Sequence, residues 1–274
     1  MIHSRSIVII RDVAMKETEA IIERIRAVNE THQHLDLAVD ESLMAIKPGQ
    51  FLLARVGDRW DPYLRITWYP VDLRDNKLVV ERPLSEIYDV GQTISLVGLA
   101  GDHFRFRKGV RNVLLIAFDC PPTPLLMMLP WLVRNNIAAT VVLLGDAVKY
   151  ETQHLPPEIE IIEGDSELNW PNQVMTVGWA DQIFVCAAQD DESYRFAQVL
   201  ARIKERRSEV PKNYLFGVYQ GFACGLGMCD VCAVRTDEGV KLACMKGPSF
   251  DLTLVKLDSV ATRVAPEEGS SDGA

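Results

Sequence analysis

No apolar run in this chain approaches the ~20 residues that a bilayer-spanning helix needs, so membrane insertion is not expected. The opening residues, Met1-Ile2-His3-Ser4-Arg5-Ser6, also lack the charged-then-apolar plan of a secretion signal. Basic blocks are missing as well. Lys and Arg number 29 against 38 Asp and Glu, a net charge of −9, which argues for solubility and against nucleic acid or anionic membrane as partners. There is no GxSxG, P-loop or HExxH pattern, no internal repeat, and no low-complexity tract before the final residues. These absences together predict a chain of the reducing cytoplasm whose chemistry lies outside those hydrolase, NTPase and zincin motifs.

What is present is an ordinary globular composition, 48% hydrophobic and 24% charged over 274 residues, enough for two or three domains. Up to about residue 105, short alternating or apolar runs are separated by turns: Ser6–Arg11, His34–Val39, Gln50–Val56, Tyr63–Tyr69, Lys77–Arg82 and Thr93–Leu99. Six strands at this spacing predict a small antiparallel barrel. Between the first two runs, Ile21, Ile22, Ile25 and Val28 recur at helical spacing, which predicts a helix over Lys16–Asn29.

The period then changes. Apolar strands at Val113–Ala117, Ala139–Leu144, Ile159–Ile162, Gln182–Ala187 and Tyr214–Tyr219 alternate with helical patterns at Thr123–Arg134 and Ser193–Arg206. That alternation predicts a Rossmann-like parallel α/β sheet. The expected organisation is a β-barrel over 1–106, an α/β domain over 107–219, a small cysteine-bearing unit over 220–260 and a disordered tail over 261–274.

Four of the six cysteines fall between Cys224 and Cys244. Cys224, Cys229, Cys232 and Cys244 form a C-x4-C-x2-C-x11-C array, the ligand spacing of a plant-type [2Fe–2S] cluster. Gly225 and Gly227, between the first two thiols, supply the positive-φ freedom that so tight a wrap requires and let backbone N–H groups approach the sulfurs. Ala233–Arg235 and Val240–Leu242 around Thr236-Asp237-Glu238-Gly239 read as a hairpin that returns Cys244 to Cys232. Three other readings compete. Structural zinc prefers paired C-x2-C knuckles, of which Cys229 and Cys232 form one. Disulfide frameworks belong to short secreted chains, and inert core cysteines would not be interleaved with glycine.

The remaining candidates are weaker. Cys120 and Cys186 read as buried strand-end thiols, and Asp102 with His103 as a surface loop pair that lacks a nucleophile. His32 and His34 share one strand face, but the sequence gives them no third ligand; with His3 and His154 they read as solvated histidines.

Barrel, α/β domain and terminal cysteine array, in that order, resemble the iron–sulfur electron-transfer subunit of dihydroorotate dehydrogenase, within the ferredoxin–NADP reductase superfamily. The resemblance rests on Ala223-Cys224-Gly225-Leu226-Gly227-Met228-Cys229 with Cys232, and on Cys244-Met245-Lys246-Gly247-Pro248-Ser249-Phe250. Lys47-Pro48-Gly49-Gln50-Phe51 and Val90-Gly91-Gln92-Thr93-Ile94-Ser95-Leu96-Val97-Gly98 resemble the superfamily's barrel turn and last barrel strand. The resemblance implies a ferredoxin-reductase-like fold and a component of an NAD- or ferredoxin-linked oxidoreductase rather than a complete enzyme. It also implies FAD against the barrel and single-electron transfer through the cluster to a flavin-containing catalytic subunit in a hetero-oligomer. The implied FAD residues are Arg65 and Thr67 on one strand, with Gly98 and Gly101 on the loop that follows the last barrel strand.

Three segments depart from the family pattern. Around Pro62–Pro70 the family's Arg and Ser positions align with Ile66 and Tyr69, and a one-residue shift turns a strand side chain to the opposite face. Where the family has a glycine-rich turn for the dinucleotide, this chain has Ala117-Phe118-Asp119-Cys120-Pro121-Pro122-Thr123-Pro124, with three prolines that cannot donate and an acid that repels phosphate. Where the family has Cys-Gly-Pro, it has Cys186-Ala187-Ala188-Gln189-Asp190-Asp191-Glu192. FAD therefore stays open and NAD(H) doubtful. The alternative reading is a cluster-bearing wire or docking subunit that has lost both dinucleotide sites.

Overall fold

The computed structural model describes residues 16–57 and 63–257; the strand expected at Ser6–Arg11 and the tail at 261–274 lie outside them. Strands β1 (Lys16–Ala27), β2 (His32–Ala38), β3 (Phe51–Val56), β4 (Ile66–Trp68), β5 (Pro70–Arg74), β6 (Lys77–Pro83) and β7 (Thr93–Ala100) form one antiparallel sheet in the order β4-β3-β7-β1-β2-β6-β5. The two edge strands, β4 and β5, are consecutive and separated only by Tyr69. The sheet therefore curls so that the chain passes from one edge to the other at Tyr69, the shape of an open half-barrel. Trp68, Ile22, Leu35, Leu52, Leu78 and Leu96 fill its interior.

The helix expected over Lys16–Asn29 is instead the central strand β1. Its first half buries Thr18, Ala20 and Ile22 alternately, the period of a strand. Hydrogen-bonded neighbours on both sides, β2 and β7, override the helical spacing of the isoleucines. A bulge between Ile22 and Arg24 resets the face and accounts for the misleading pattern. Strand β5 was not expected; it is an edge strand that opens on a proline, the place where a missing N–H is tolerated.

The second sheet contains β8 (Asn112–Phe118), β9 (Ala138–Leu144), β10 (Glu160–Glu163), β11 (Gln182–Ala187), β12 (Leu215–Val218) and β15 (Ser249–Asp251), in the order β10-β9-β8-β11-β12-β15. The first five are parallel, as expected; β15 adds an antiparallel edge that the sequence reading did not include. All six residues of β11 are buried, as a strand covered on both faces requires. Helices α1 (Thr123–Leu126), α2 (Met128–Arg134), α3 (Gln173–Trp179) and α4 (Glu192–Arg206) flank the sheet. Helix α4 buries Phe196, Val199 and Ile203 along one stripe, each contributing about 1.5–3 kcal/mol, and carries Lys204 and Arg206 at its C-terminal end. The hairpin β13 (Ala233–Thr236) and β14 (Gly239–Leu242), followed by the single turn α5 (Ala243–Lys246), completes the described chain. Among the described residues no helix is long and apolar enough to cross a membrane.

Candidate metal centre

After β12 the chain crosses the wall of the barrel. Gln220 fixes the departure: its N–H donates to Glu192 Oε1 at 2.6 Å and its side-chain Nε2 to the Ala187 carbonyl at 3.1 Å. Two residues later Phe222 stacks on Phe51 of β3, ring centroids 4.6 Å apart. The loop then passes over Leu53. At Gly225, with φ +67°, a Cβ would lie 2.5 Å from Leu53 Cδ2, so both the backbone angle and the space disfavour a side chain there. Gly227, at φ +73°, rests against Met245, which lies 2.7 Å from where a Cβ would be.

The hairpin pairs Ala233 with Leu242 and Thr236 with Gly239, leaving Asp237 and Glu238 as its turn. That register returns Cys244 so that its Sγ stands 3.3 Å from Cys232 Sγ, and the Cys244 N–H points at the same sulfur at 3.5 Å. Both thiols are buried. Cys224 is half-buried and Cys229 exposed, and the two thiols interact. The four thiols thus fall into two pairs, Cys224 with Cys229 and Cys232 with Cys244.

The two pairs differ electrostatically. Burial works against ionisation of Cys224, but the Leu226 N–H at 3.4 Å, the backbone of Met228 and Cys229, and the Cys229 thiol bring its pKa down to about 7. Burial and the adjacent Cys232 thiol push Cys244 up to about 12. A site that brings thiols this close in a poorly solvated setting favours thiolates only when a cation shares it, so the donor set fits iron or zinc.

Beside this loop lies a groove of about 430 Å³, lined among others by Arg65, Thr67, Tyr69, Gln189, Gln220 and Phe222. Arg65 and Thr67 thus come together here. Arg65 is already engaged: Nη1 donates to the Ser95 carbonyl at 2.9 Å and Nη2 to Glu17 Oε1 at 2.5 Å. Gly98 and Gly101 stand outside the groove. A Cβ at Gly98 would lie 2.5 Å from Leu52 Cδ2, and one at Gly101 2.9 Å from Phe51 Cε1, so barrel packing gives both a reason to be glycine.

The connections diverge between β8 and β11, the point where an open α/β sheet offers a crevice to a dinucleotide. Here the crevice holds the protein's own charges. Asp119, at φ +56°, accepts from the Asp146 N–H at 3.1 Å and from Arg195 Nε at 3.1 Å, and Arg195 Nη1 reaches Asp190 at 2.9 Å. Cys120 and Cys186 lie beneath with sulfurs 3.7 Å apart. Cys186 is fully buried, and burial with the neighbouring Cys120 thiol raises its pKa, the environment of an unreactive thiol.

The histidines correct the sequence reading. His32 and His34 are buried, not solvated, because their strand β2 faces the α/β domain. Sequence reasoning also missed Phe51 and Leu53 as the floor of the thiol loop; the signal was that Phe51–Ala54 is apolar on both faces, so one face had to be covered by something other than the barrel interior. Glu192 was missed too, since nothing local marks it as the anchor of Gln220.

Comparison with known proteins places these features. Residues 220–256 match the family described as the iron–sulfur cluster binding domain of dihydroorotate dehydrogenase B. The chain is 22% identical over 169 residues to the electron transfer subunit of dihydroorotate dehydrogenase B (NAD(+)) of Clostridium perfringens, covering 59% of this chain and 65% of that one. It is 27% identical over 145 residues to the putative counterpart from Thermotoga maritima, covering 53% and 57%. The chain therefore spans about three fifths of the length of the curated relatives it matches. Among solved structures, a chain of NADH-dependent reduced ferredoxin-NADP oxidoreductase, described in connection with flavin-based electron bifurcation, superposes with a TM-score of 0.65 at 18% identity over 89% of this chain and 91% of that one. The ferredoxin reductase in carbazole 1,9a-dioxygenase gives 0.52 at 14% identity, over 77% and 71%. The fold is ferredoxin-reductase-like, and the chain resembles the electron-transfer subunits in sequence over 53–59% of its length and matches the cluster-binding family at the thiol loop.

Proposed function

We propose that this chain is an electron-transfer subunit of a multisubunit oxidoreductase, similar to that of dihydroorotate dehydrogenase B, with a [2Fe–2S] cluster on Cys224, Cys229, Cys232 and Cys244. The observation that carries the reading is the pairing of the four thiols, which suits two irons each taking two thiolates, on the segment that matches a cluster-binding family. When bound, such a cluster supplies one-electron chemistry. The chain's own residues do the rest. Backbone N–H groups of Leu226, Met228 and Cys229 offset negative charge on the Cys224 sulfur, and the Phe51, Leu53 and Phe222 floor keeps water from the inner side.

Cys229 lies at the outer edge, and Met228, Val231 and Val240 nearby are exposed apolar residues. This face is the docking surface for a flavin-containing catalytic subunit, which makes the assembly a hetero-oligomer. The units divide into a barrel over 1–106, an α/β domain over 107–219 and a cluster unit over 220–260.

The groove beside the loop is where FAD would bind, with Thr67 and, once released from Glu17, Arg65 as its contacts. A second reading, a cluster-bearing wire without flavin, is favoured by the engagement of Arg65 with Ser95 and Glu17. The Asp119–Arg195–Asp190 ion pairs and the surrounding prolines argue against NAD(H) in either case. Anaerobic purification followed by acid extraction separates the readings. Iron and sulfide with stoichiometric FAD supports the flavoprotein, whereas full iron and sulfide without FAD ends it in favour of the wire.

A further inference from the structure

Strands β2 and β6 and the segment after β9 converge on Glu81, whose side chain has no exposed surface. Among the described residues, the hydrogen-bond partners of its carboxylate are neutral groups or histidines. The Thr123 hydroxyl lies 2.5 Å from Oε1 and the Tyr150 hydroxyl 2.7 Å from Oε2. His34 Nε2 stands 3.3 Å and His154 Nε2 3.6 Å from that same Oε2. Burial alone would favour a neutral carboxyl, but these four groups hold Glu81 well below the usual carboxylate range, so it is an anion. A buried anion calls for a counter-charge, and its ion-pair partners among the described residues are the two histidines.

The donor atoms are those of a transition-metal site. Two imidazole nitrogens and one carboxylate oxygen lie within 4.8 Å of one another. Zinc holds such donors at roughly 2.0–2.2 Å, so neighbouring donors around a tetrahedral ion stand about 3.4 Å apart. The separations of 3.3 and 3.6 Å around Glu81 Oε2 bracket that value. Without an ion, Glu81 Oε2 and, for His154, the Tyr150 oxygen at 3.0 Å accept from the Nε2 atoms; among the described residues neither buried Nδ1 has a hydrogen-bond partner, so each Nδ1 is open to take the ring proton when a cation occupies Nε2. A cavity of about 140 Å³, lined by both imidazoles with Val71, Leu126 and Leu129, gives an ion a way in and a water a place to complete its shell.

We propose that His34, Glu81 and His154 form a divalent-metal site of the zinc class, separate from the thiol centre, that clamps the barrel to the α/β domain. Tyr150 is its positioning residue. Burial and the Glu81 charge raise the Tyr150 pKa, so the hydroxyl keeps its proton and holds Oε2 by donating to it. Glu81 and Thr123 also line the 430 Å³ groove, so the clamp fixes one wall of that groove.

The test is a cobalt(II) titration of the anaerobically purified, EDTA-dialysed chain, followed in the visible and near ultraviolet. The proposal predicts about one equivalent bound with d–d bands of nitrogen and oxygen ligation, no thiolate charge-transfer band from that equivalent, displacement by zinc, and unchanged iron. Zinc in large excess over its dissociation constant should raise Tm by roughly 5 °C. His154→Gln, in the loop beyond β9, should weaken cobalt binding at least ~10-fold with circular dichroism and iron content preserved. Equal binding by that variant overturns the site. So does a wild-type chain that takes up no cobalt, which leaves a proton as the counter-charge, or one whose cobalt shows only thiolate bands.

Discussion

The thiol loop and the crevice between β8 and β11 are both places where a ferredoxin-reductase-like fold can hold a redox group, and this chain treats them oppositely. At the loop, four donors converge, the glycines leave room for Leu53 and Met245, and the backbone turns N–H groups toward sulfur. At the crevice, Asp119, Arg195 and Asp190 neutralise one another where a pyrophosphate would need unpaired donors. Two places in one frame thus differ in the groups they offer a ligand, which is why the site rather than the fold carries the functional argument.

The largest expected effect is at the loop. Cys244→Ser should remove nearly all iron and acid-labile sulfide, while the barrel and α/β domain keep their circular dichroism; a variant with wild-type iron would break the comparison. Next is Glu192, which stands at the seam between the two regions. Burial pushes its carboxyl up to about 7 from 4.5, against the pull of the Gln220 and Gly221 N–H groups. Below about 4.5 both folded and unfolded chains hold the proton; between 4.5 and 7 the folded chain holds more, so stability falls as pH rises through that window and is flat above it. The cost above pH 7 is on the order of 3 kcal/mol. Glu192→Gln should flatten Tm across this range, and a variant that keeps the wild-type slope would assign the slope elsewhere.

Gly225→Ala should cost about 1–3 kcal/mol from the positive φ and the Leu53 overlap, and should lower cluster content several-fold in the same preparation. The smallest effect belongs to the crevice. Asp119→Ala breaks a partly exposed ion pair worth at most about 1 kcal/mol. Even so, NADH fluorescence should show no saturable binding to either wild type or variant, because Pro121, Pro122 and Pro124 still supply no N–H. Saturable binding by the variant would mean that the charges alone close the crevice.

The loop was legible because Cys224–Cys244 carry a spacing that thiol ligands of a metal require, and the β8–β12 strands because burial on both faces writes unbroken apolar runs. Strand β1 was not. Its bulge shifts the alternation at Ile22 and Arg24, and the resulting isoleucine spacing imitates a helix until two neighbouring strands are seen to pair with it. Arg65 and Thr67 could be placed on a strand, but only the folded barrel reveals that the guanidinium is engaged by Glu17 on β1, 48 residues earlier. His34, Glu81 and His154 are separated by 47 and 73 residues and carry no spacing at all; only the packing of barrel on α/β domain brings them together.

The central claim is tested most directly by electron paramagnetic resonance of the anaerobically purified chain reduced with dithionite, alongside its metal and sulfide content. The account predicts about two irons, about two sulfides and one unpaired spin per chain for a plant-type cluster, all lost in Cys244→Ser. A chain that is silent after reduction and carries one zinc without acid-labile sulfide would contradict it.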